Sequence, residues 1–393
     1  MKKFNDFTIL IAARNAAATI ERAVRSALAE VPCSIILIDD QCTDETVALA
    51  QRCAGGKLRV VQTPAPGGIP LARQVGLDAI ETKYAAWLDA DDEWLAGRAL
   101  RLEAALAKGT DVATESIALH DGVTGLYLRR LAIPSFLKPI GAWVRLFERN
   151  YLPGDTQVAF RTIAYRKAGG YDPAVFGAES FDILLRVLRG GARFSLGEDV
   201  GYRMFAYPDS VSRNLKRQRA ALAIALRKHS YADVERMYRE AGISDKVATW
   251  GLVSLALFCN DPEAALLFLE RASKASTPTD KVLEPDGPWL FPEGWRRSFF
   301  HGTILLLLGR NSKEAVEALS DAEVQEGTAE GSNNLGVALA RVGESKESSH
   351  CFFKALRRFP GYLDAQLNCS SGKPQAITSH PLRRFPARRS YRR

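Results

Sequence analysis

Trp87-Leu88-Asp89-Ala90-Asp91-Asp92 sets three carboxylates within four residues at the end of an apolar run. Asp39 and Asp40 follow Ser34-Ile35-Ile36-Leu37-Ile38 in the same way. Carboxylates at strand tips offer hard oxygen ligands to a divalent cation, which bridges phosphate oxygens and absorbs the charge of a departing diphosphate. Group transfer from a nucleoside diphosphate also needs a means of recognising the nucleoside and a base for the acceptor proton. A lone D-x-D suits a polar loop or a helix cap equally well, so its weight depends on its surroundings.

Phe7 to Ile11, Ser34 to Ile38, Leu58 to Val61 and Tyr84 to Leu88 read as short buried strands. Helical stretches separate them. One runs from Ile20, with Thr19 as N-cap and Ile20, Val24, Ala27, Leu28 and Val31 on one face; others span Thr43 to Cys53 and Leu71 to Glu81, the last after a Gly/Pro loop from Pro64 to Pro70. Continuous apolar strands alternating with helices imply a parallel sheet covered on both faces. Ligands of such sheets lie beyond the carboxyl ends of the strands, where Asp39, Asp40, Asp89, Asp91 and Asp92 all fall.

Four motifs in order carry a resemblance: Ala12-Ala13-Arg14-Asn15, Asp39-Asp40-Gln41-Cys42-Thr43-Asp44, Ala72-Arg73-Gln74-Val75-Gly76 and Asp89-Ala90-Asp91-Asp92. Their spacing resembles the family 2 glycosyltransferases, whose pattern is an apolar strand ending in Asn, then D-D-x-x-T-D, A-R-N-x-G and D-A-D-D. Phe160-Arg161, Gly169-Gly170-Tyr171-Asp172, Ala178 to Arg186 and Ser210-Val211-Ser212 extend it over residues 7–213. The resemblance implies a GT-A fold, an α/β Rossmann-like mixed sheet that binds a nucleotide-diphospho-sugar. It places Asp40 on the nucleobase, uracil or thymine through its ring N–H, with Ala12, Arg14 and Asn15 beside it. Arg73 would contact the ribose or diphosphate, and Asp89 the ribose or a metal-bound water. Asp91 would ligate Mg2+ or Mn2+, with Asp92 as the alternative.

Two positions depart from the family pattern. Ser180 stands where members usually carry an Asp that serves as general base, and a serine needs a partner before it can take a proton. Glu179 or Asp182 could replace it, and a thiol acceptor would need less help, its pKa lying near 8.5. Tyr207 stands where many members have a metal-holding His. The Q-x-x-R-W signature of processive, membrane-embedded relatives is absent, which favours a single transfer.

From about residue 215 the pattern is helical. Gly302 and Gly336 are 34 residues apart, as are Gly309 and Gly343. With Leu339, Ser348, Phe352, Ala355 and Pro360 they resemble a tetratricopeptide repeat. A weaker copy spans Gly251 to Ala272, and a Pro/Trp-rich insert from Leu283 to Trp295 interrupts the period. The division expected is a GT-A domain over residues 1–213, a tetratricopeptide-like domain over 214–368 and a basic, unstructured tail over 369–393.

Seven of the eight net positive charges fall after Asp364, so the body is near neutral and is not a nucleic-acid-binding surface. The tail could contact anionic lipid. The six cysteines lack metal-ligand spacing and read as reduced thiols, which favours the cytoplasm, with peripheral contact at the inner membrane face left open. No apolar run reaches the roughly 18 residues needed to span a bilayer, and the N-terminus reads as a first strand rather than a signal peptide.

The reading is an inverting glycosyltransferase that uses an NDP-sugar, UDP-linked by preference, and a divalent cation. Its acceptor is a protein or peptide presented by the repeats, or a surface-glycan precursor; a homodimer is left open. The competing reading, supported by Ser180 and Tyr207, is a catalytically impaired nucleotide-sugar-binding protein with a helical adaptor. A third is a repeat scaffold with a vestigial first domain, which predicts no nucleotide binding.

Overall fold

The computed structural model of the chain describes residues 6–30, 33–207, 215–274 and 295–380. The chain forms two compact units, Met1–Ser230 and Tyr231–Arg393.

In the first unit, β1 (Phe7–Ala13), β2 (Ser34–Asp39), β3 (Leu58–Gln62) and β4 (Tyr84–Trp87) pair in parallel in the order β3-β2-β1-β4. Helices α1 (Ile20–Leu28), α2 (Thr46–Ala54) and α3 (Ile69–Asp78) connect them. The chain lays β2 and β3 on one side of β1, then returns on the other with β4. That reversal leaves a crevice at the carboxyl ends of the strands.

The chain continues through β5 (Glu93–Trp94), α4 (Arg98–Ala107), β6 (Val112–Asp121), β7 (Tyr127–Leu131), β8 (Ala159–Arg161), α5 (Thr162–Lys167), α6 (Glu179–Arg189) and β9 (Phe194–Ala206). Beyond β4 the sheet runs β8-β6-β9-β5, with β8 antiparallel to both neighbours. The sheet is therefore mixed, as in a GT-A fold; the parallel reading of the first four strands holds, and β6 and β9 also pair in parallel.

Burial decides the local structure here. Helix α1 turns Ile20, Ala23, Val24 and Ala27 onto the sheet, against Ile9, Ile11, Ile35 and Leu37. It ends at Leu28, and Val31, expected on the same face, lies outside the described residues. Glu30 accepts hydrogen bonds from the Gly97 and Ala99 amides, both at 2.7 Å, and so satisfies orphan donors at the start of α4. Gly76 lets α3 lie close on the strands, because a Cβ there would come within 2.6 Å of Trp87 Cη2 and 3.1 Å of Ile38 Cδ1.

Helix α7 (Leu215–Leu226) belongs to the first unit, although the sequence pattern assigned residues from 214 to the helical domain. Ala221 and Ala225 bury against Val175, and Lys228 pairs with Asp172 and Asp182, both at 2.7 Å. Amphipathic periodicity does not say which core a helix joins.

The second unit contains α8 (Tyr231–Glu240), α9 (Asp245–Phe258), α10 (Pro262–Lys274), α11 (Trp295–Leu308), α12 (Ser312–Gln325), α13 (Ala329–Arg341), α14 (Ser345–Arg358) and α15 (Leu363–Ser370). Consecutive helices pack in pairs, α9 with α10, α11 with α12 and α13 with α14. The glycines at the repeat spacing occupy matching places. A Cβ on Gly302 would lie 2.6 Å from Leu319, and one on Gly336 would lie 2.5 Å from Phe352, each on the second helix of its pair. Gly309 and Gly343 both follow a first helix with positive φ, 65° and 91°. Most of the Leu283 to Trp295 insert lies outside the described residues.

The unstructured tail expected from residue 369 must be corrected for its first part. Residues 371–380 lie against the helices, with Thr378 and His380 2% and 8% exposed. Their lack of acidic residues describes charge and says nothing about burial. The arginines from 383 onward lie outside the described residues. The six cysteines are free thiols. Among the described residues, no helix is long and apolar enough to cross a membrane.

Candidate functional site

The two neighbouring acids at the end of β2 have different tasks. Asp39 Oδ1 accepts from the Cys42 amide at 2.8 Å and closes the turn. The next residue, Asp40, is buried, and its Oδ1 accepts from Thr63 Oγ1 at 2.9 Å and from the Gly68 amide at 2.8 Å. Its Oδ2 lies 3.7 Å from Nη1 of Arg14, an exposed side chain. Gly67 approaches so closely that a Cβ would sit 2.6 Å from Asp40 Oδ1. Ala12 is the penultimate residue of β1, paired with Ile38. Asn15 adopts φ 51° and accepts from the Thr43 amide at 2.8 Å through Oδ1, tying the β1 loop to the β2 loop. Ala12, Arg14, Asn15 and Asp40 thus meet where β1 and β2 end.

Arg73 forms the second group. Its guanidinium is 4.3 Å above the Trp87 ring, and Nη2 donates to Asp89 Oδ1 at 2.8 Å. Burial opposes its charge, but Asp89, then Tyr171 and Glu179, hold the guanidinium above its usual range. Its Nε and Nη1 are buried without a hydrogen-bond partner, so the side chain retains donor capacity. Asp89 Oδ2 accepts from Gln157 Nε2 at 2.5 Å, and Trp87 Nε1 donates to Tyr171 Oη at 2.7 Å. Gln157 carries no family signature that a sequence search would select. Behind it, the fully buried Arg98 donates to the Gln157 carbonyl at 2.7 Å and lies 3.4 Å from Glu115. Burial pulls Arg98 down to about 10.

The remaining acids of the cluster divide in a way the spacing does not reveal. Asp92 accepts from the Phe205 amide at 2.8 Å and is 3% exposed, so it fastens the loop to β9. Burial, with Asp91 and Asp89 beside it, pushes it well above the usual carboxylate range. Asp91 is only half-buried, and burial followed by the Asp89 charge pushes it up to about 6. Arg22 donates to the Asp91 carbonyl and lies 3.4 Å from the Tyr207 hydroxyl, linking the position of the missing His to this loop.

No group of three or more His, Cys, Asp or Glu side chains among the described residues is arranged to hold a metal by itself. The donor set nevertheless suits Mg2+ or Mn2+, which take one or two carboxylates and complete their shell with phosphate oxygens and water. Asp91, crowded by a neighbouring carboxylate, fits that role. Asp92, already committed to Phe205, fits it poorly.

The expected bases also separate. Glu179, at the start of α6, accepts from the Gly177 amide at 2.8 Å and is one of the charges acting on Arg73. Asp182 is fully buried between Arg186 at 2.6 Å and Lys228 at 2.7 Å, so its assignment as a base is corrected to an ion-pair anchor of α6. One helical turn carries the side chain from the site into the core. Ser180 Oγ lies 3.1 Å from Thr156 Oγ1, and the neighbouring Asp155 is pushed up to about 6 by burial and then by Glu179. Asp155 was not apparent from sequence; its one cue is its place between Gly154 and the strand ending Phe160-Arg161.

The site thus has a buried carboxylate, Asp40, where β1 and β2 end, a guanidinium held by a carboxylate, and acids at the β4 tip. Residues 8–167 match the family model of glycosyl transferase family 2. The matched stretch spans the motifs ending β1, β2 and β4, and it stops before α6. Similar curated proteins include two from Rhizobium meliloti (strain 1021). The succinoglycan biosynthesis protein ExoO is 28% identical over 239 residues, 54% of this chain and 64% of that protein. ExoU, of the same description, is 29% identical over 223 residues, 53% of this chain and 64% of its own length. The chain thus spans under two thirds of either relative. Among solved structures, S. aureus TarS 1-349 in complex with UDP-GlcNAc has a TM-score of 0.49 at 14% identity, covering 90% of this chain and 91% of that one. Mannosyltransferase PcManGT from Pyrobaculum calidifontis, in complex with GDP-Man and Mn2+, has a TM-score of 0.46 at 16% identity, covering 70% and 77%.

Proposed function

We propose that the chain transfers a sugar from a nucleoside-diphosphate donor, a UDP-sugar by preference, to an acceptor in one inverting displacement. The observation that carries this reading is Arg73, buried yet with unfilled donors, held by Asp89 among acids at the tip of β4. Asp40 Oδ2 would accept the N–H of a uracil ring, since Oδ1 is already occupied by Thr63 and Gly68. Arg73 would donate its spare N–H groups to the diphosphate, and Asp89 would orient Arg73 and face the ribose. A divalent cation at Asp91 would neutralise the pyrophosphate as negative charge builds on it. Glu179 would take the proton as the acceptor oxygen bonds to the anomeric carbon. The bond from that carbon to the phosphate oxygen breaks, and its electron pair leaves with the diphosphate.

The names of the two Rhizobium relatives favour a glycan precursor over a peptide as acceptor. A tetratricopeptide-like second unit, a cytoplasmic location and a homodimer belong to the same reading. The test is incubation with a panel of NDP-sugars and Mn2+, scored by release of free nucleotide. Slow donor hydrolysis supports the enzyme. Nucleotide binding without turnover for any donor or acceptor favours the adaptor, for which Ser180, in contact with Thr156 rather than with a base, is the specific support. Absence of nucleotide binding would overturn both.

A further inference from the structure

The second unit buries three asparagines in helix interiors. Asn333 and Asn334 of α13 are both 0% exposed, and Asn368 of α15 is 2% exposed. Asparagine is a weak helix former, and burying an amide is costly unless every donor and acceptor is met. Here the partners are one another, Thr303 Oγ1 and, for all three side chains, main-chain atoms of residues 375–378. Asn368 Oδ1 accepts from the Gln375 amide at 3.0 Å and the Ala376 amide at 2.9 Å, and its Nδ2 donates to the Ala376 carbonyl at 2.8 Å. Asn333 Nδ2 donates to that same carbonyl at 2.9 Å. Asn334 clasps Thr378 from both sides, accepting its N–H at 2.9 Å and donating to its carbonyl at 2.8 Å.

Two side chains of the segment, two residues apart, enter pockets. Thr378 Oγ1 donates to Asp364 Oδ2 at 2.7 Å. His380 stacks on Phe258 with ring centroids 3.7 Å apart, and its Nε2 is 3.1 Å from Ser254 Oγ. Upstream, a groove of about 530 Å³ continues the path between Ser348, Phe352 and Asn368 and residues 373–375.

We propose that this amide ladder is a binding site for an extended polypeptide, and that residues 375–380 are its resident ligand in cis. The intended partner is an unfolded protein segment with a hydroxyl residue two positions before an imidazole or aromatic one. The physical reason is the choice of side chains. A terminus that only needed anchoring could be packed with apolar residues at similar or lower cost, because net hydrogen-bond gains are small. Amides that grip N–H and C=O groups accept any sequence, while pockets at alternate residues select among them. The cis segment, held at high effective concentration, keeps weak partners out. The proposal stands independently of glycosyl transfer.

The test uses the full chain carrying Thr378→Asp and His380→Ala, which sets a charge against Asp364 and empties the aromatic slot. The probe is a fluorescein-labelled peptide with the sequence of residues 373–382, followed by fluorescence anisotropy. The double variant should bind it about 30-fold more tightly than the unaltered chain, because the tethered competitor is gone. Adding Asn334→Leu should remove at least about tenfold of that affinity, the scale of one or two buried hydrogen bonds. A helical double variant without saturable binding, or binding indifferent to Asn334→Leu, overturns the proposal. If the unaltered chain proves dimeric and the peptide dissociates it, a second copy supplies the segment and the cis assignment fails. If the double variant loses its helical signal, hydrogen exchange in the unaltered chain decides: millimolar peptide must speed exchange of the Ala376 and Thr378 amides, and unchanged rates overturn the proposal.

Discussion

Thr156 Oγ1 lies 3.1 Å from Ser180 Oγ, joining the loop that carries Asp155 to the helix that begins at Glu179. The side chain at the usual place of the family's base is thus engaged by a neutral hydroxyl, and two carboxylates flank the contact. Glu179→Gln should lower kcat by about 100-fold or more with little change in KM, the size of a general-base contribution. Steady-state kinetics with a saturating donor would show it. A kcat within threefold of the parent would exclude Glu179 as the base.

Asp182→Asn should behave differently. Lys228 keeps Asp172, but removing the Asp182 charge deprives the largely buried Arg186 of its carboxylate partner, which costs about 3 kcal/mol. Urea denaturation would record that loss, while turnover per folded molecule stays within a few-fold. A collapse of kcat without a loss of stability would return Asp182 to the catalytic list.

Asp155 makes a pH prediction. Its native pKa of about 6 exceeds the ordinary carboxylate value, raised first by burial and then by Glu179 and Asp89, with Arg73 opposing them. Between about pH 4 and 6 the native chain holds a proton that the unfolded chain has released, so stability conferred at low pH is lost as pH rises through that window. The loss is about 1–3 kcal/mol. Asp155→Asn should flatten this part of the stability–pH curve, measured by urea midpoints at several pH values. An unchanged slope would remove Asp155 from the charge cluster.

The acids after β4 can be separated by thermal shift. Asp91→Asn should abolish the Mn2+-dependent stabilisation by UDP, since bound ligand stabilises by mass action. Asp92→Ala should lower the melting temperature, because it removes the oxygen that accepts from the Phe205 amide, yet leave the response to Mn2+ and UDP in place. The reverse pattern would exchange their roles.

Arg73 depends on a glycine one turn away. Gly76→Ala would force a methyl group into Trp87, on which Arg73 rests, at a cost of about 1–3 kcal/mol. UDP affinity should fall about tenfold as Arg73 shifts, as isothermal titration would show. Unchanged affinity would mean that Arg73 is not held by that packing.

Much of this was legible in the amino-acid sequence. Apolar runs ending in Asp40 and in Asp89 to Asp92 read as strands with acids at their tips, because they are too short for a helix and are rich in residues that suit a buried strand. Gly302 and Gly336, 34 residues apart, likewise mark where paired helices touch. Local pattern, however, does not say which way a side chain finally points. Asp39 and Asp40 are adjacent, yet one closes a turn and the other faces Arg14. Glu179 and Asp182 lie within one helical turn, yet only tertiary packing sends Asp182 to Lys228 and leaves Glu179 among the charges on Arg73. Asp155, Gln157 and the ladder holding residues 375–378 carry no pattern of their own. Their partners are distant in sequence, so these contacts exist only once the chain has folded.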